Sequence, residues 1–326
     1  MSHSFNVDNP LISVGIPTYN RPEGLRQTLG YITGQTYKNL EIIISDNCSP
    51  GEETQNIIRK FLNEDSRVKA FRQDINKGAV FNFNFVLKAA TGKYFMWAAD
   101  DDLWDKNFIE VLCKLLLDNK SAVIAMSNYK TVPRDKLLPE QLRARLFHTF
   151  SSNFDNNWSN YKSLLNYLKT GNHVIIYGLY VTKVLKRIGG FHSDCRPFFH
   201  CSDYLTVLKM LLNGKVVFTN KVLFFMVDSG VCLTRFEILR SLNIDRFVMQ
   251  KILRFCFFPL FYLYDLLYSI RFIVSSRFRI FQKVVIISLS FRFYSINNFN
   301  YICEILRGVG CVVQGVFRKA RRAGAI

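Results

Sequence analysis

The feature that most limits the fold of this chain is an alternation, sustained from Leu11 to Asn128, of short apolar β-rich runs with stretches of helical period. Leu11 to Ile16 is apolar and stops at Pro17, and "RPEGLRQTLGYITGQ" then places Leu25, Leu29 and Ile32 at helical spacing. "LEIIISD", Leu40 to Asp46, and "EETQNIIRKFLNE" repeat the pair. "RVKAFRQ", "VFNFNFVLKAATG", "KYFMWAA", "NFIEVLCKLLLD" and "SAVIAMSN" continue it. Strand and helix in turn predict an α/β chain: a mostly parallel open sheet with helices on both faces. In such sheets a ligand lies beyond the carboxyl ends of the strands. Pro17 to Arg21, Asp46 to Ser49 and Asp100 to Asp102 all fall there, so three polar clusters far apart in sequence converge on one crevice. Lys130 to Tyr167 is irregular and polar-aromatic and reads as a long insertion or lid. "GNHVIIYGLYVTKVLKRIGGF" reads as a strand-like run, then a short helix stopped by Gly189 and Gly190.

No G-x-G-x-x-G or Walker A sequence follows any of these strands, which argues against classical dinucleotide and P-loop sites. The loop "PTYNR" instead offers a rigid proline, a flat aromatic ring, a hydroxyl and an amide, groups suited to a nucleoside. An ordinary strand-to-helix turn with Asn20 as cap fits the same residues. Asp46 can accept from a base N–H or a ribose hydroxyl, or close a turn. More specific is "YFMWAADDDLW", where Asp100, Asp101 and Asp102 stand side by side behind a strand fit for burial. Their mutual repulsion calls for a compensating cation, donors or water. Mn²⁺ or Mg²⁺ takes oxygen ligands, and Mg²⁺ commonly combines one or two carboxylates with substrate phosphates. Asp102 or Asp105 capping a helix that starts near Trp104 accounts for one carboxylate and leaves the rest unexplained.

A chain of 326 residues has room for one large domain with an appendage. Its net charge of +18 raises nucleic acid, an anionic membrane surface or a phosphorylated substrate as partners. From Cys232 to Ile326 there are 15 Lys/Arg against 4 Asp/Glu, so +11 of the +18 lies in that last part. The expected division is therefore a catalytic domain over 1–231 and a helical, basic and aromatic extension over 232–326. Within the extension, Phe255 to Ile270 is apolar for only 16 residues and contains Pro259 and Asp265, whereas a spanning helix wants about 20. Basic flanks with aromatics describe a helix lying in the membrane interface, with "VVIISLSF" and the terminal "FRKARR" extending the pattern. A packed helical subdomain and a bent, re-entrant span remain the alternatives. The eight cysteines are scattered without a C-x-x-C pair, which suggests reduced thiols rather than zinc or disulfides. The start, "MSHSFNVDNPLISVG", lacks the basic and long apolar regions of a secretory signal.

Four stretches carry a resemblance: "LISVGIPTYNRPEGLRQTL", "LEIIISDNCS", "NKGAVFNFNFVLKAATGKYFMWAADDD" and "GGFHSDCRPFFHCSDYLTVLKMLLNGKVVF". In this order they resemble the motifs of family 2 glycosyltransferases, inverting enzymes of the GT-A fold, from about Leu11 to Met226. The resemblance implies that Pro17, Thr18, Tyr19, Asn20, Asp46, Asn76 and Gly78 bind the donor nucleotide and that Asp100 sits near the ribose. It implies metal contacts for Asp101 and Asp102, and a catalytic base at Asp203 before the helix "YLTVLKMLL", where an N-cap is the plainer alternative. Two departures stand out. Many relatives read A-R-N where this chain has Asn82, Phe83 and Asn84, and Glu-Asp where it has Ser202 and Asp203. His192 and His200 are candidate metal or acceptor ligands, although isolated histidines in polar loops more often are neither.

The expected activity is metal-dependent inverting transfer of a sugar, with Mn²⁺ or Mg²⁺, from a nucleoside-diphosphate sugar to a glycan or lipid-linked acceptor in surface polysaccharide assembly. The expected location is the cytoplasmic face of a membrane. A nucleotidyltransferase would favour a glycine-rich, lysine-containing loop where "PTYNRPEG" stands. A nucleic-acid-binding protein would explain the charge but leave the acidic strand end unexplained, so nucleic acid is not an expected partner. A processive synthase is disfavoured by the lack of clear multiple spans and of Q-x-x-R-W.

Overall fold

A computed structural model describes residues 9–133, 149–150, 154–192, 202–228, 266–267 and 269–290. The chain divides into two compact units, Met1–Gly230 and Val231–Ile326. In the first, β1 (Ile12–Thr18), β2 (Leu40–Asp46), β3 (Val68–Arg72) and β4 (Tyr94–Trp97) alternate with α1 (Pro22–Thr33), α2 (Glu53–Glu64) and α3 (Ala79–Ala89). After these come β5 (Leu103–Trp104), α4 (Phe108–Asp118), β6 (Ala122–Pro133), β7 (Thr149–Phe150) and α5 (Asn160–Thr170). A 3₁₀ turn (His173–Tyr177), β8 (Leu179–Val181), α6 (Thr182–Arg187), α7 (Ser202–Leu211) and β9 (Lys215–Asp228) complete the unit.

The strands form one sheet in the order β3-β2-β1-β4-β8-β6-β9-β5, with β7 on β6. Its β3-β2-β1-β4 half is parallel. Every residue of β1 and β2 is buried, as strands covered on both faces must be. Beyond β4 the sheet becomes mixed: β8 enters antiparallel to both β4 and β6, and β9 then runs parallel to β6. The expected fifth strand is thus present but separated from β4 by a strand from much later in the chain.

Close approach of helix to strand is built into β1. A Cβ at Gly15 would lie 2.6 Å from Val86 Cγ2 and 2.8 Å from Phe95 Cζ, so α3 is seated where β1 has no side chain. Near the other end of the strands, buried Glu41 accepts from Ser13 Oγ at 2.5 Å, Thr91 N at 2.5 Å, Thr91 Oγ1 at 2.8 Å and Gly92 N at 3.1 Å. Lys69 Nζ lies 3.2 Å from its second oxygen. This carboxylate joins β1, β2, β3 and the α3–β4 turn.

Two local expectations are corrected. Trp104 does not open a helix: it is buried in β5, paired with Phe224 of β9, and its ring lies 5.8 Å from that of Phe224. The helix begins at Phe108, and Asp105 Oδ1 accepts from Asn107 N at 2.8 Å in the turn before it. Nor is Lys130 to Tyr167 irregular throughout. β6 continues to Pro133, and α5 starts at Asn160, capped by Ser159 and ended by left-handed Gly171. That signal, a serine cap with Leu164, Tyr167 and Leu168 on one face and a glycine after the last turn, was readable in the sequence.

Glu41→Gln should cost about 1.5–3 kcal/mol at pH 7, because a charge-assisted cluster becomes a neutral one. Although burial opposes it, the bonds from Ser13, Thr91 and Lys69 hold the Glu41 pKa below its usual value. This stabilisation is present above the unfolded-state glutamate pKa and is lost as pH falls through the folded one. Urea melts should therefore show the gap between wild type and variant shrinking in acid; a gap independent of pH would reject the account.

Candidate active site

The register of the parallel strands sets one end of the crevice. Thr18 lies opposite Asp46, and Asp46 opposite Arg72, at the carboxyl ends of β1, β2 and β3. Asp46 is fully buried; Ser49 N donates to Oδ1 at 2.9 Å and Gln55 Nε2 to Oδ2 at 2.5 Å, while Arg72 Nε lies 3.8 Å away. Asn47 clamps the loop before α3: its Nδ2 donates to Asn76 Oδ1 at 2.8 Å, and its Oδ1 accepts from Lys77 N at 3.0 Å. Gly78 N donates to Asn76 Oδ1 at 2.9 Å, and Gly78 has the left-handed φ of 83° that turns the chain into α3. Asn82 Nδ2 bridges the Thr18 and Ser45 carbonyls at 3.3 and 2.8 Å.

Pro17 is buried in β1, whereas Tyr19 is 44% exposed at the mouth and available to a flat ring. Asn20 does not cap α1: it has a φ of 54°, its N–H donates to Ser49 Oγ at 2.8 Å, and the cap position belongs to Arg21. Thr18, Asp46, Asn76, Gly78 and Asp100 are thus linked through β1, β2 and the α3 loop.

The acidic loop is held from three sides. Ala98 N donates to Gly15 O at 2.9 Å, and Thr28 Oγ1 of α1 to Ala99 O at 3.0 Å. Gly24 brings α1 so near that a Cβ there would overlap the Asp100 carbonyl oxygen. The three carboxylates then diverge. Asp100 Oδ2 accepts from Thr18 Oγ1 at 2.8 Å, and its Oδ1 lies 3.1 Å from Arg21 Nη1. Asp101 Oδ2 meets the same Nη1 at 2.5 Å. Asp102 Oδ1 accepts from Val227 N of β9 at 2.9 Å.

Burial raises the pKa of Asp100 against the pull of Arg21 and Thr18. Burial, with Asp101 and Asp100 adding to it, pushes that of Asp102 up to about 8. Burial thus disfavours the ionised form of both carboxyls. Among the described residues no group of three or more His, Cys, Asp or Glu could hold a metal ion by itself. Two carboxylate oxygens, one of Asp100 and one of Asp101, converge instead on one cationic nitrogen of Arg21.

Asp203 stands half-buried in the first turn of α7. Tyr177, half-buried, has its pKa raised well above the usual value by burial and then by the charges of Asp102, Asp203, Asp101 and Asp100, so both acidic groups lie within its electrostatic reach. Sequence reasoning missed Tyr177 and Gln55, and placed Arg21 at the crevice without giving it a role. Phe83, where many relatives carry arginine, turns away from any charged role: its ring packs 4.8 Å from Phe191 and 6.0 Å from Trp97. Its neighbour Asn84 grips the chain before α7, donating to Phe191 O at 2.8 Å and accepting from Phe191 N at 2.9 Å. His192 is buried, with Nδ1 3.1 Å from Lys209 Nζ and its N–H on Thr206 Oγ1. His200 lies outside the described residues.

The family described as "Glycosyl transferase family 2" matches residues 13–186, more than half of the chain. The chain belongs to that family. One curated family relative is the Escherichia coli UDP-Glc:alpha-D-GlcNAc-diphosphoundecaprenol beta-1,3-glucosyltransferase WfgD, 27% identical over 132 residues, which are 40% of this chain and 51% of that enzyme. In eight of the curated relatives it matches, the aligned part spans between 16% and 64% of their length. Among solved structures, S. aureus TarS 1–349 in complex with UDP-GlcNAc superposes with a TM-score of 0.63 at 19% identity, over 87% of this chain and 72% of that one. The mannosyltransferase PcManGT from Pyrobaculum calidifontis, in complex with GDP-Man and Mn²⁺, gives 0.51 at 12% identity, over 98% and 81%. These likenesses establish the GT-A-type α/β fold.

Gly24→Ala separates two effects. Helix propensity alone favours alanine by about 1 kcal/mol, whereas the overlap with the Asp100 carbonyl should cost about 1–3 kcal/mol as overpacking. Urea unfolding should show net destabilisation for Gly24→Ala and a near-neutral effect for Arg26→Ala on the same helix; a more stable Gly24→Ala would refute the close contact.

Proposed function

We propose that this chain transfers a sugar from a nucleoside-diphosphate sugar to a hydroxyl of a glycan or lipid-linked acceptor, with inversion, in surface polysaccharide assembly. The observation that carries the reading is the meeting of Thr18, Asp46, Asp100 and Asp101 at the carboxyl ends of parallel strands, with the last two facing one cationic nitrogen. Tyr19, Asp46, Asn76 and Gly78 hold the nucleoside, and Asp100 the ribose side. Asp101, with Asp102 beside it, faces the diphosphate. A bound Mn²⁺ or Mg²⁺ would supply neutralisation of the charge that develops on the leaving diphosphate. Asp203 takes the proton of the acceptor hydroxyl as its oxygen forms a bond to the anomeric carbon; the bond from that carbon to the diphosphate oxygen breaks, and its electron pair leaves with the diphosphate. Support comes from the UDP-GlcNAc and the GDP-Man with Mn²⁺ bound by the structural neighbours, and from the diphosphoundecaprenol acceptor named for the E. coli relative.

The part up to 231 is the catalytic domain in this reading, and 232–326 binds the cytoplasmic face of a membrane. Most of Phe255 to Ile270 lies outside the described residues. Helical segments at 269–275 and 280–290 bury Ile273 and Ile286 and leave Val274, Ile280, Phe281 and Val284 exposed beside Arg271, Arg277 and Arg279. No acidic residue occurs between 266 and 290. No helix among the described residues is long and apolar enough to cross a membrane. Exposed apolar residues interleaved in the chain with arginines suit the headgroup region of an anionic bilayer.

Asp101→Asn should nearly abolish transfer with the fold intact, and chelation by EDTA should do the same to wild type; full activity in either case removes the metal assignment. Asp203→Asn should leave donor affinity near wild type and lower turnover by about 10²-fold or more. Collapse of donor affinity with turnover preserved would make Asp203 a pocket or cap residue.

Full-length protein should bind phosphatidylglycerol vesicles more tightly than phosphatidylcholine ones, less tightly in high salt, and about tenfold or more weakly after Ile280→Asp with Phe281→Asp. Equal binding to both vesicle types would exclude the anionic surface.

A further inference from the structure

Arg21 occupies the place where the reading above puts a metal. Its Nη1 sits 2.5 Å from Asp101 Oδ2 and 3.1 Å from Asp100 Oδ1, and its side chain is 44% exposed. The backbone beneath it is fixed: Asn20 N is bonded to Ser49 Oγ, Leu25 N donates to Arg21 O at 3.0 Å, and Gly24 presses on the Asp100 carbonyl. The guanidinium is therefore a long arm on an immobile post. Among the described residues only Nη1 is engaged, so Nε and Nη2 keep their hydrogen-bonding capacity for an incoming anion.

We propose that Arg21 is an internal counter-cation that holds the acidic loop in the free enzyme, and that it moves from Asp101 to the donor diphosphate when nucleotide and metal bind together. A divalent ion on Asp101 would stand within a few ångströms of the guanidinium, so both cations cannot keep that position. Metal alone would have to drive Arg21 into water and receive no phosphate ligand in exchange. Metal with a diphosphate offers the displaced guanidinium two oxygens in the planar geometry that suits it. Arg21 thereby suppresses metal uptake in the absence of donor and strengthens donor binding in its presence. It is a binding residue for the diphosphate and a gate on the metal position. The inference presupposes that the acidic loop binds the metal–diphosphate group.

The test is Mn²⁺ binding followed by the electron paramagnetic resonance signal of the free ion, with and without UDP and without acceptor. Wild type should take up Mn²⁺ weakly alone and strongly with UDP. Arg21→Gln should bind Mn²⁺ without UDP at least about fivefold more tightly than wild type, and UDP in saturating Mn²⁺ at least about fivefold more weakly. Arg21→Met keeps the aliphatic stem and should behave like Arg21→Gln, so the result survives if one variant folds poorly. Arg21→Lys keeps the positive charge and should retain the low nucleotide-free Mn²⁺ affinity.

If UDP promotes Mn²⁺ uptake in wild type but the neutral variants bind Mn²⁺ alone no more tightly, the gate is overturned while the metal reading stands. If neither wild type nor variants take up Mn²⁺ with UDP, nor with GDP in its place, the metal reading fails and the gate fails with it.

Discussion

The whole first unit hangs on the parallel pairing of β1 with β2 on one side and β4 on the other. Because β1 is buried along its entire length, a slip of register would carry Ile12, Val14 and Ile16 to the wrong face, so the pairing is strongly specified. Gly15 sharpens this further by giving α3 only one seat on the strand. Once β1 is placed, Thr18 faces Asp46 across the sheet, and the chain leaving β4 must pass Thr18 with its three aspartates. The site is thus a consequence of the register rather than an addition to it.

The acidic loop shows how three adjacent like charges can persist in a fold. Asp100 is tied to β1 through Thr18, Asp102 to β9 through Val227 N, and Asp101 to the arginine before α1. Each carboxylate is answered by a different element, so the loop is pinned between the parallel half of the sheet and its mixed half. The compensation is incomplete, since burial still raises the pKa of Asp100 and Asp102.

On the side of Asp203 the chain departs from the family pattern, and the departure has a packing reason. Phe83 joins Trp97 and Phe191 in an aromatic cluster, while Asn84 holds the Phe191 backbone by both its N–H and its carbonyl. Gly190, at a φ of 73°, allows that approach, since a Cβ there would run into the Asn84 amide. Helix α3 therefore meets the Asn76–Gly78 turn at its start and the Phe191 backbone through Asn84, one element tied to two distant parts of the chain.

Much of this was legible in the residues. The alternation of β-rich and helical runs determined the parallel half of the sheet, because period and run length are local properties that each segment carries alone. The same reasoning brought Pro17 to Arg21, Asp46 to Ser49 and Asp100 to Asp102 to one edge. Only the tertiary structure decided what those residues touch. That Trp104 pairs with β9, that β8 enters between β4 and β6, and that Asp102 is answered by Val227 N depend on contacts between segments more than 50 residues apart. No local pattern encodes such pairings. The place of Arg21 is the clearest case: its position after "PTYN" was visible, but its role as the cation of the acidic loop follows from the close packing of α1 on Asp100 that a missing Cβ at Gly24 permits.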